Sequence, residues 1–120
     1  MKAKPKAPGI DKAIHDAAMR KFGLQKPDRA YYPQIVGQVA RTYRVVRGLT
    51  LSVVAKAMGL SASGWSRVET GDTIMSAAQL AKIARVFEVS PHVIVHQADE
   101  IAAGLEEQGV DVLDGKDDEA

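Results

Sequence analysis

The sequence predicts an all-α fold: five short helices in close succession, with a helical extension before them and an extended C-terminal helix. Three observations support this prediction. Apolar residues recur at intervals of three and four, which place side chains on one face of a helix. Glycines and N-cap residues separate these stretches by short connections. The apolar residues are mainly Ala, Val, Leu and Ile, with one Trp, three Tyr and two Phe, which suits packed helices better than a β-sandwich.

The N-terminal part is predicted to be a basic arm followed by one short helix. Residues 1–9 combine three lysines with two prolines and a glycine, which is typical of a flexible arm. The helix that follows is expected to end near Gly23. Its apolar face is formed by Ile10, Ile14, Ala17, Ala18 and Phe22. Residues 27–33 are expected to form an irregular connection.

Five helical segments are then predicted from their start and stop signals. They cover about residues 34–47 and 51–58, then 62–70, then a stretch that follows Ser76 and includes Phe87, and finally a stretch from Pro91 to about Gln108. Thr50 and Ser90 stand at N-cap positions, and Pro91 is suited to the first helical position. Gly48 and Gly59 follow predicted helix ends.

The last predicted helix has an apolar pattern of its own. Its residues Ile94, Ala98, Ile101 and Leu105 are spaced four, three and four, as in a coiled coil. Ile101 and Leu105 have no evident place in a five-helix core, and exposed apolar residues in a row usually contact a partner. We therefore predict that Ile101 and Leu105 contribute to a dimer interface. Residues 111–120 are predicted to be disordered.

Charge is distributed unevenly along the chain. Residues 1–47 hold eleven Lys and Arg against three Asp, a balance of +8, and residues 48–96 have a balance of +1. Residues 97–120 hold nine Asp and Glu against one Lys, a balance of −8. This asymmetry indicates a basic part that faces nucleic acid and a separate acidic tail.

Several classes of protein are excluded by composition. The chain has no cysteine, so disulfides and thiolate metal sites are excluded. Its longest apolar runs fall far short of the ~20 residues of a membrane helix, and no apolar signal core follows the N-terminus. We expect a cytoplasmic protein without a membrane partner. His92, His96 and Glu100 have a spacing compatible with a metal site, but helices often carry such residues without binding metal, and we predict no metal ion.

No arrangement of catalytic residues is evident. The sequence contains no nucleophile–base set, no phosphate-binding loop and no paired carboxylates in an apolar setting. We therefore predict that the protein is not an enzyme and needs no cofactor.

The most informative segment runs from Leu51 to Thr70. Two helices that meet steeply across a tight turn need a small residue where their backbones approach, and Ala55 supplies it. The turn needs a residue that tolerates positive φ, and Gly59 supplies it. Apolar residues from both helices are expected to hold the angle between them: Val54, Met58, Leu60, Trp65 and Val68.

This segment resembles the helix-turn-helix of the Cro and CI repressor-like (XRE) proteins. The resemblance covers about residues 34–98 and rests on three stretches: RVVRGLT at 44–50, WSRVETG at 65–71 and LAKIARVFEVS at 80–90. It implies a five-helix, lambda-repressor-like domain that binds operator DNA as a homodimer on a palindrome. We accordingly divide the chain into residues 1–30 (arm and first helix), 31–98 (DNA-binding domain) and 99–120 (helix extension and acidic tail).

The resemblance also implies roles for individual residues. The helix that begins near Ala62 would be the recognition helix, with Arg67 able to make the bidentate contact to guanine that is commonest in the major groove. Arg44 and Glu69 match a pair that forms an internal salt bridge in the family. Trp65 matches a position that faces the core. The predicted DNA-binding residues are Ser61, Ala62, Ser63, Ser66, Arg67, Thr70 and Thr73.

Two positions depart from the family pattern. Leu51 stands where a glutamine usually reaches a phosphate, and Ala62 stands where a base-reading polar side chain is usual. Specificity then rests on few contacts plus DNA shape, or the basic arm supplies further contacts, or the site does not bind DNA.

The leading hypothesis is a transcriptional regulator, in particular a repressor that binds double-stranded DNA. The alternative is an interaction module, such as an antitoxin, whose partner is a toxin or an antirepressor.

Overall fold

Six helices and two three-residue strands make up the described part of the chain, which comprises residues 10–25 and 28–115 in this computed structural model. In chain order they are α1 (Ile10–Gln25), β1 (Arg29–Tyr31), α2 (Tyr32–Val46), α3 (Leu51–Met58), α4 (Ala62–Glu69), α5 (Ala77–Phe87), α6 (Pro91–Glu107) and β2 (Asp111–Leu113). The predicted helical fold is confirmed. The predicted basic arm and the last five residues of the acidic tail lie outside the described residues.

Side-chain caps determine where the short helices begin. The Thr50 hydroxyl accepts a hydrogen bond from the Val53 backbone N–H at 3.2 Å. The Ser61 hydroxyl accepts one from Gly64 at 3.0 Å, and the Ser76 hydroxyl accepts one from Gln79 at 3.1 Å. Each bond satisfies an N–H that the first helical turn leaves without a partner. Ser90 stands at the N-cap of α6 as predicted, but its side chain makes no capping bond.

The core of the molecule is built around α2, which contacts α1, α4 and α6. Ile35, Val39 and Tyr43 of α2 are buried, and the Tyr43 ring stacks on Phe87 of α5 with ring centroids 5.5 Å apart. None of the helices formed by residues 10–25 and 28–115 is long and apolar enough to cross a membrane.

Helix α1 belongs to the same core. Its residues Ile14, Ala18 and Phe22 are buried together with those of the other helices, and the helix continues to Gln25 rather than ending near Gly23. A hydrophobic core therefore crosses both of the domain boundaries that we placed from the sequence, at residues 30 and 98. The division into an arm, a DNA-binding domain and a C-terminal extension therefore remains a prediction about what each of these segments does.

The dimer interface that we predicted on α6 is wrong at the residues we named. Ile101 and Leu105 are 0% and 1% exposed within one copy of the chain. Helices α1 and α2 of the same chain both pack on α6, and a Cβ added to Gly104 would lie only 3.4 Å from the His15 ring of α1. The pattern of Ile94, Ala98, Ile101 and Leu105 is thus satisfied inside the chain.

A small parallel sheet joins two segments that we predicted to be irregular. β1 pairs with β2 in the register Arg29–Asp111, Ala30–Val112 and Tyr31–Leu113. Residues 111–113 are therefore not disordered, in contrast to our prediction. Strands of three residues have no periodicity to detect, and their pairing joins positions about 80 residues apart, as given by the register.

Candidate nucleic-acid interface

The turn between α3 and α4 has the geometry that the motif predicts. Gly59 ends α3 with φ +72, the left-handed conformation that favours glycine. The Leu60 N–H donates back to the Ala55 carbonyl at 2.9 Å, which closes the turn. Ala55 is 2% exposed. Leu60 is half-buried. The other apolar residues of the motif are buried: Val54, Met58, Trp65 and Val68.

An ion pair fixes α4 against α2. Arg44 Nε lies 2.7 Å from Glu69 Oε2, and Arg44 Nη2 donates to Glu69 Oε1 at 3.1 Å. The pair is therefore bidentate, the geometry that makes Arg–carboxylate bonds strong. Arg44 Nη1 also donates to the Leu49 carbonyl at 3.1 Å, which holds the loop before α3. The two side chains are only 14% and 6% exposed, so the pair implied by the family resemblance is present and largely buried.

Trp65 adds a third donor to this ion pair. Its side chain is fully buried, as predicted from its position in the motif, and Trp65 Nε1 donates to Glu69 Oε2 at 2.6 Å. Sequence reasoning missed this bond. The spacing of four residues between Trp65 and Glu69 on one helix was the signal that could have identified it. Both carboxylate oxygens of Glu69 are thus occupied by donors on the inner side of α4.

The closest approach between α2 and α4 occurs at Gly37. A Cβ at this position would overlap the backbone carbonyl oxygens of Val68 and Glu69. Only glycine allows the two backbones to pack at this distance. We did not identify Gly37 from the sequence, because nothing in the local pattern around residue 37 indicates which helix packs there.

The predicted DNA-binding residues lie on the outer side of α4 and in the loop after it. Ser61, Ala62, Ser63, Arg67, Thr70 and Thr73 are exposed, and Ser66 is half-buried. On the opposite side of the helix, Trp65, Val68 and Glu69 are buried. The structure therefore brings the predicted residues onto one surface.

The polar groups of these residues differ in whether they already form hydrogen bonds within the chain. The Ser61 hydroxyl is used as the N-cap of α4 and lies 3.3 Å from the Ser63 hydroxyl. The Thr70 hydroxyl lies 3.1 Å from both the Arg67 carbonyl and Asp72 Oδ2. The guanidinium of Arg67 forms no salt bridge with any carboxylate of the described residues. Arg67 is thus the strong hydrogen-bond donor on this surface that is available to a ligand.

The two positions that depart from the family pattern differ in exposure. Leu51 is half-buried and packs against the core, so its side chain contributes to the fold. Ala62 is exposed at the start of α4 and presents only a methyl group. Because neither residue carries a polar group, the surface around α4 has few side chains that can read base edges directly.

Two positive charges, Lys21 of α1 and Arg41 of α2, lie near each other where these helices pack together. Burial lowers the pKa of the half-buried Lys21 below its ordinary value, and the nearby charge of Arg41 lowers this pKa further. The two like charges repel each other at this contact.

Among the described residues, no three His, Asp or Glu side chains are grouped so that they could hold a metal ion. Of the three residues that have a compatible spacing in α6, His96 Nε2 lies 2.9 Å from Glu100 Oε1.

Comparison with known proteins agrees with this geometry. Residues 35–97, just over half of the 120 residues, match the model of a family described as a helix-turn-helix domain. A crystal structure of the clp gene regulator ClgR from Corynebacterium glutamicum is 25% identical to the chain, with a TM-score of 0.55 over 57% of this chain and 90% of that one. A second crystal structure of ClgR is 23% identical, with a TM-score of 0.60 over 68% and 87%, and shares the fold. No curated protein matches the sequence.

Proposed function

The chain belongs to the helix-turn-helix domain family, and from that premise we propose that it is a transcriptional regulator that binds specific sequences in double-stranded DNA. The resemblance to Cro and CI repressor-like proteins is confirmed by the family match and by the shared fold of ClgR. The proposed reader of DNA is α4, which would lie in the major groove.

The observation that most directly supports this proposal is the contrast between the inner and outer sides of α4. Helix α4 is held from behind by Glu69, which accepts hydrogen bonds from both Arg44 and Trp65, while Arg67 extends from its outer side without a salt-bridge partner among the described residues. A recognition helix needs both properties. It must be rigid relative to the domain, because base contacts depend on register, and it must present donors that match a base edge.

The residues around Arg67 have complementary roles in this proposal. Arg67 donates two parallel hydrogen bonds to the O6 and N7 atoms of one guanine. Ser63 and the free N–H groups in the first turn of α4 bind a phosphate, which the helix dipole favours. Thr70 and Thr73 lie beside the DNA backbone. Because these contacts are few, the remaining specificity comes from DNA shape.

We further propose that the chain acts as a homodimer and as a repressor. The family resemblance supports a palindromic operator, whose half-sites lie about one helical turn apart, near 10 bp. ClgR is described as a regulator of clp genes, and we propose gene regulation for this chain as well. Repression follows if the operator overlaps a promoter.

Selection of bound sequences from random duplex DNA tests this function. The expected result is enrichment of an inverted repeat that contains a guanine in each half-site. Arg67→Ala should relax the selected sequence at that guanine, and Arg85→Ala serves as the control because Arg85 is an exposed arginine on α5. A wild-type chain that enriches no sequence would contradict the proposal.

A second candidate function is an interaction module, such as an antitoxin with secondary DNA binding. Val53 of α3 is 54% exposed, and Ala62 of α4 is exposed near the same turn. Exposed apolar groups suit a protein partner better than a phosphate backbone. Copurification of a toxin or antirepressor from native extract, lost in Val53→Asp, would favour this candidate. An unchanged set of copurified proteins would count against it.

A further inference from the structure

The C-terminal segment of the described chain ends beside the surface that is proposed to bind DNA. Asp114 follows β2 and lines the same groove as Thr73 and Ile74, which lie in the loop after α4. The groove has a volume of about 240 Å³, roughly the share of eight water molecules in the liquid. The two segments therefore lie close together. Thr73 is one of the predicted DNA-binding residues.

A hydrogen bond connects this loop to the proposed recognition helix. The Thr73 N–H donates to the carbonyl oxygen of Arg67 at 3.1 Å. Arg67 is exposed, and its guanidinium forms no salt bridge with any carboxylate of the described residues. An exposed cation without a carboxylate partner in this part of the chain thus lies next to the loop that shares a groove with Asp114.

Backbone hydrogen bonds fix the path of the C-terminal segment to this groove. The Val110 N–H donates to the Leu105 carbonyl at 3.0 Å, and the Asp111 N–H donates to the Asp28 carbonyl at 3.0 Å. Strand β2 then pairs with β1 as far as Leu113. The residues after β2 therefore start from a defined point on the surface, and this point depends on the fold rather than on their charge.

The residues that follow Asp114 in the sequence are mainly acidic. Residues 116–120 contain Asp117, Asp118 and Glu119 against one lysine. An extended chain spans at most about 3.5 Å per residue, so Asp117 and Glu119 can lie up to about 10 Å and 17 Å from Asp114. The neighbouring loop and the end of α4 to which Thr73 is bonded are within this reach. The charge of these side chains is opposite to that of Arg67.

We propose that the acidic segment after β2 is an internal competitor of DNA, whose carboxylates pair with Arg67 when no DNA is bound. This inference rests on the proposed function, since it assigns a means of regulation to the same surface. A carboxylate on a short tether has a high effective concentration at its target. An exposed pair is nevertheless weak and is screened by salt. DNA therefore displaces the segment, at a cost in affinity.

The affinity of the full chain for its selected operator measures this competition. The double variant Asp117→Asn with Asp118→Asn should bind about fivefold more tightly than the wild type at low salt, and this gain should shrink as salt is added. Glu106→Gln with Glu107→Gln is the matched control, because it removes the same charge from exposed positions at the end of α6. The control should change the affinity by less than about twofold, since distant exposed charges are screened.

The same substitutions in an Arg67→Ala chain test whether Arg67 is the target of the segment. There the loss of Asp117 and Asp118 should raise the affinity by less than about twofold, because the paired cation is already absent. An equal gain with and without Arg67 would overturn the pairing. Wild-type affinity in the Asp117→Asn, Asp118→Asn chain would overturn it as well and would leave DNA binding by α4 intact.

A spin label tests the contact without DNA and so separates it from the proposed function. The chain has no cysteine, so Ala120→Cys provides a single labelling site. The label should broaden the NMR signals of Arg67 and Thr73, and the broadening should decrease when Asp117 and Asp118 are neutralised. Broadening that does not change, or that is concentrated in α1, would overturn the inference. The expected broadening in a chain that enriches no DNA sequence would support the contact and contradict the proposed function.

Discussion

At the scale of single residues, two arginines show how burial decides the role of one side-chain type. The side chain of Arg44 is 14% exposed, and its guanidinium makes three hydrogen bonds, two to Glu69 and one to Leu49. Arg67 is exposed and forms no salt bridge with the described residues. Substitution should therefore affect folding at the first position and DNA binding at the second.

Arg67→Ala is expected to leave folding intact and to weaken operator binding by about 1–3 kcal/mol, because one bidentate base contact is lost. Fluorescence anisotropy with a labelled operator measures the affinity, and a thermal melt measures stability. The loss should be smaller for operators that carry a different base at the contacted position. An equal loss for every sequence would show that Arg67 contacts phosphate instead.

Arg44→Ala is expected to lower the free energy of unfolding by about 3 kcal/mol or more, because it leaves the Glu69 carboxylate buried with Trp65 as its remaining donor. That is a large part of the total stability of a small domain. Urea denaturation measures the change. Arg41→Ala is the control, since Arg41 is exposed on the same helix, and it should not lower the free energy of unfolding, because it removes a charge that repels Lys21. If Arg44→Ala melts normally while Arg67→Ala unfolds, the assignment of the recognition helix is wrong.

At the scale of helices, the orientation of α4 depends on its backbone contact with α2. Gly37 permits this contact, and the Arg44–Glu69 pair secures it a few residues further along α2. The capping bonds of Thr50 and Ser61 define the first turns of α3 and α4 independently of that contact. Local interactions thus produce the helices, and the contact between α2 and α4 sets the position of the recognition helix.

Gly37→Ala is therefore expected to destabilise the fold by about 1–3 kcal/mol, as overpacking does when the obstructing atoms are backbone. The displaced α4 should also bind the operator more weakly than the loss of stability alone explains. Thermal melts and binding curves below the melting temperature separate the two effects. Gly115→Ala is the control for crowding, since a Cβ there meets no atom within 4 Å and its φ is not in the positive range. A Gly37→Ala chain with wild-type stability would show that α2 and α4 lie further apart.

At the scale of the whole molecule, the distribution of charge and the symmetry of the proposed dimer determine how the protein binds DNA. Arg67 of α4 and Lys56 of α3 are exposed cations on the two helices of the motif, and the N-terminal part of the chain carries most of the positive charge. Electrostatic attraction to phosphates is long-ranged and independent of sequence. The proposed dimer doubles the number of phosphate contacts without any new residue.

Operator affinity is expected to fall about 10³-fold or more between low and moderate salt, because several condensed counterions are released on binding. Titrations at a series of salt concentrations measure the slope of log affinity against log salt. Arg67→Ala should alter this slope little if Arg67 contacts a base. An affinity that hardly depends on salt, or a footprint over a single unrepeated half-site, would contradict the dimeric DNA-binding model.

Local features of the sequence determined most of the helical architecture. The caps at Thr50 and Ser61, the glycine turn at Gly59 and the apolar spacing within each helix act over a few residues, so α3 and α4 could be placed almost to the residue. The family resemblance added the Arg44–Glu69 pair and the outward side of α4. These features depend on chemistry that is already present in a short stretch of chain.

Tertiary structure decided which apolar faces meet. The spacing of Ile101 and Leu105 required burial, but a helix pattern does not specify its partner, and other helices of the same chain rather than a second copy bury them. The same holds for the pairing of β1 with β2 and for the close contact at Gly37, each of which joins residues far apart in the sequence. Such contacts exist only once the whole chain has folded, because their energy comes from surfaces contributed by different elements.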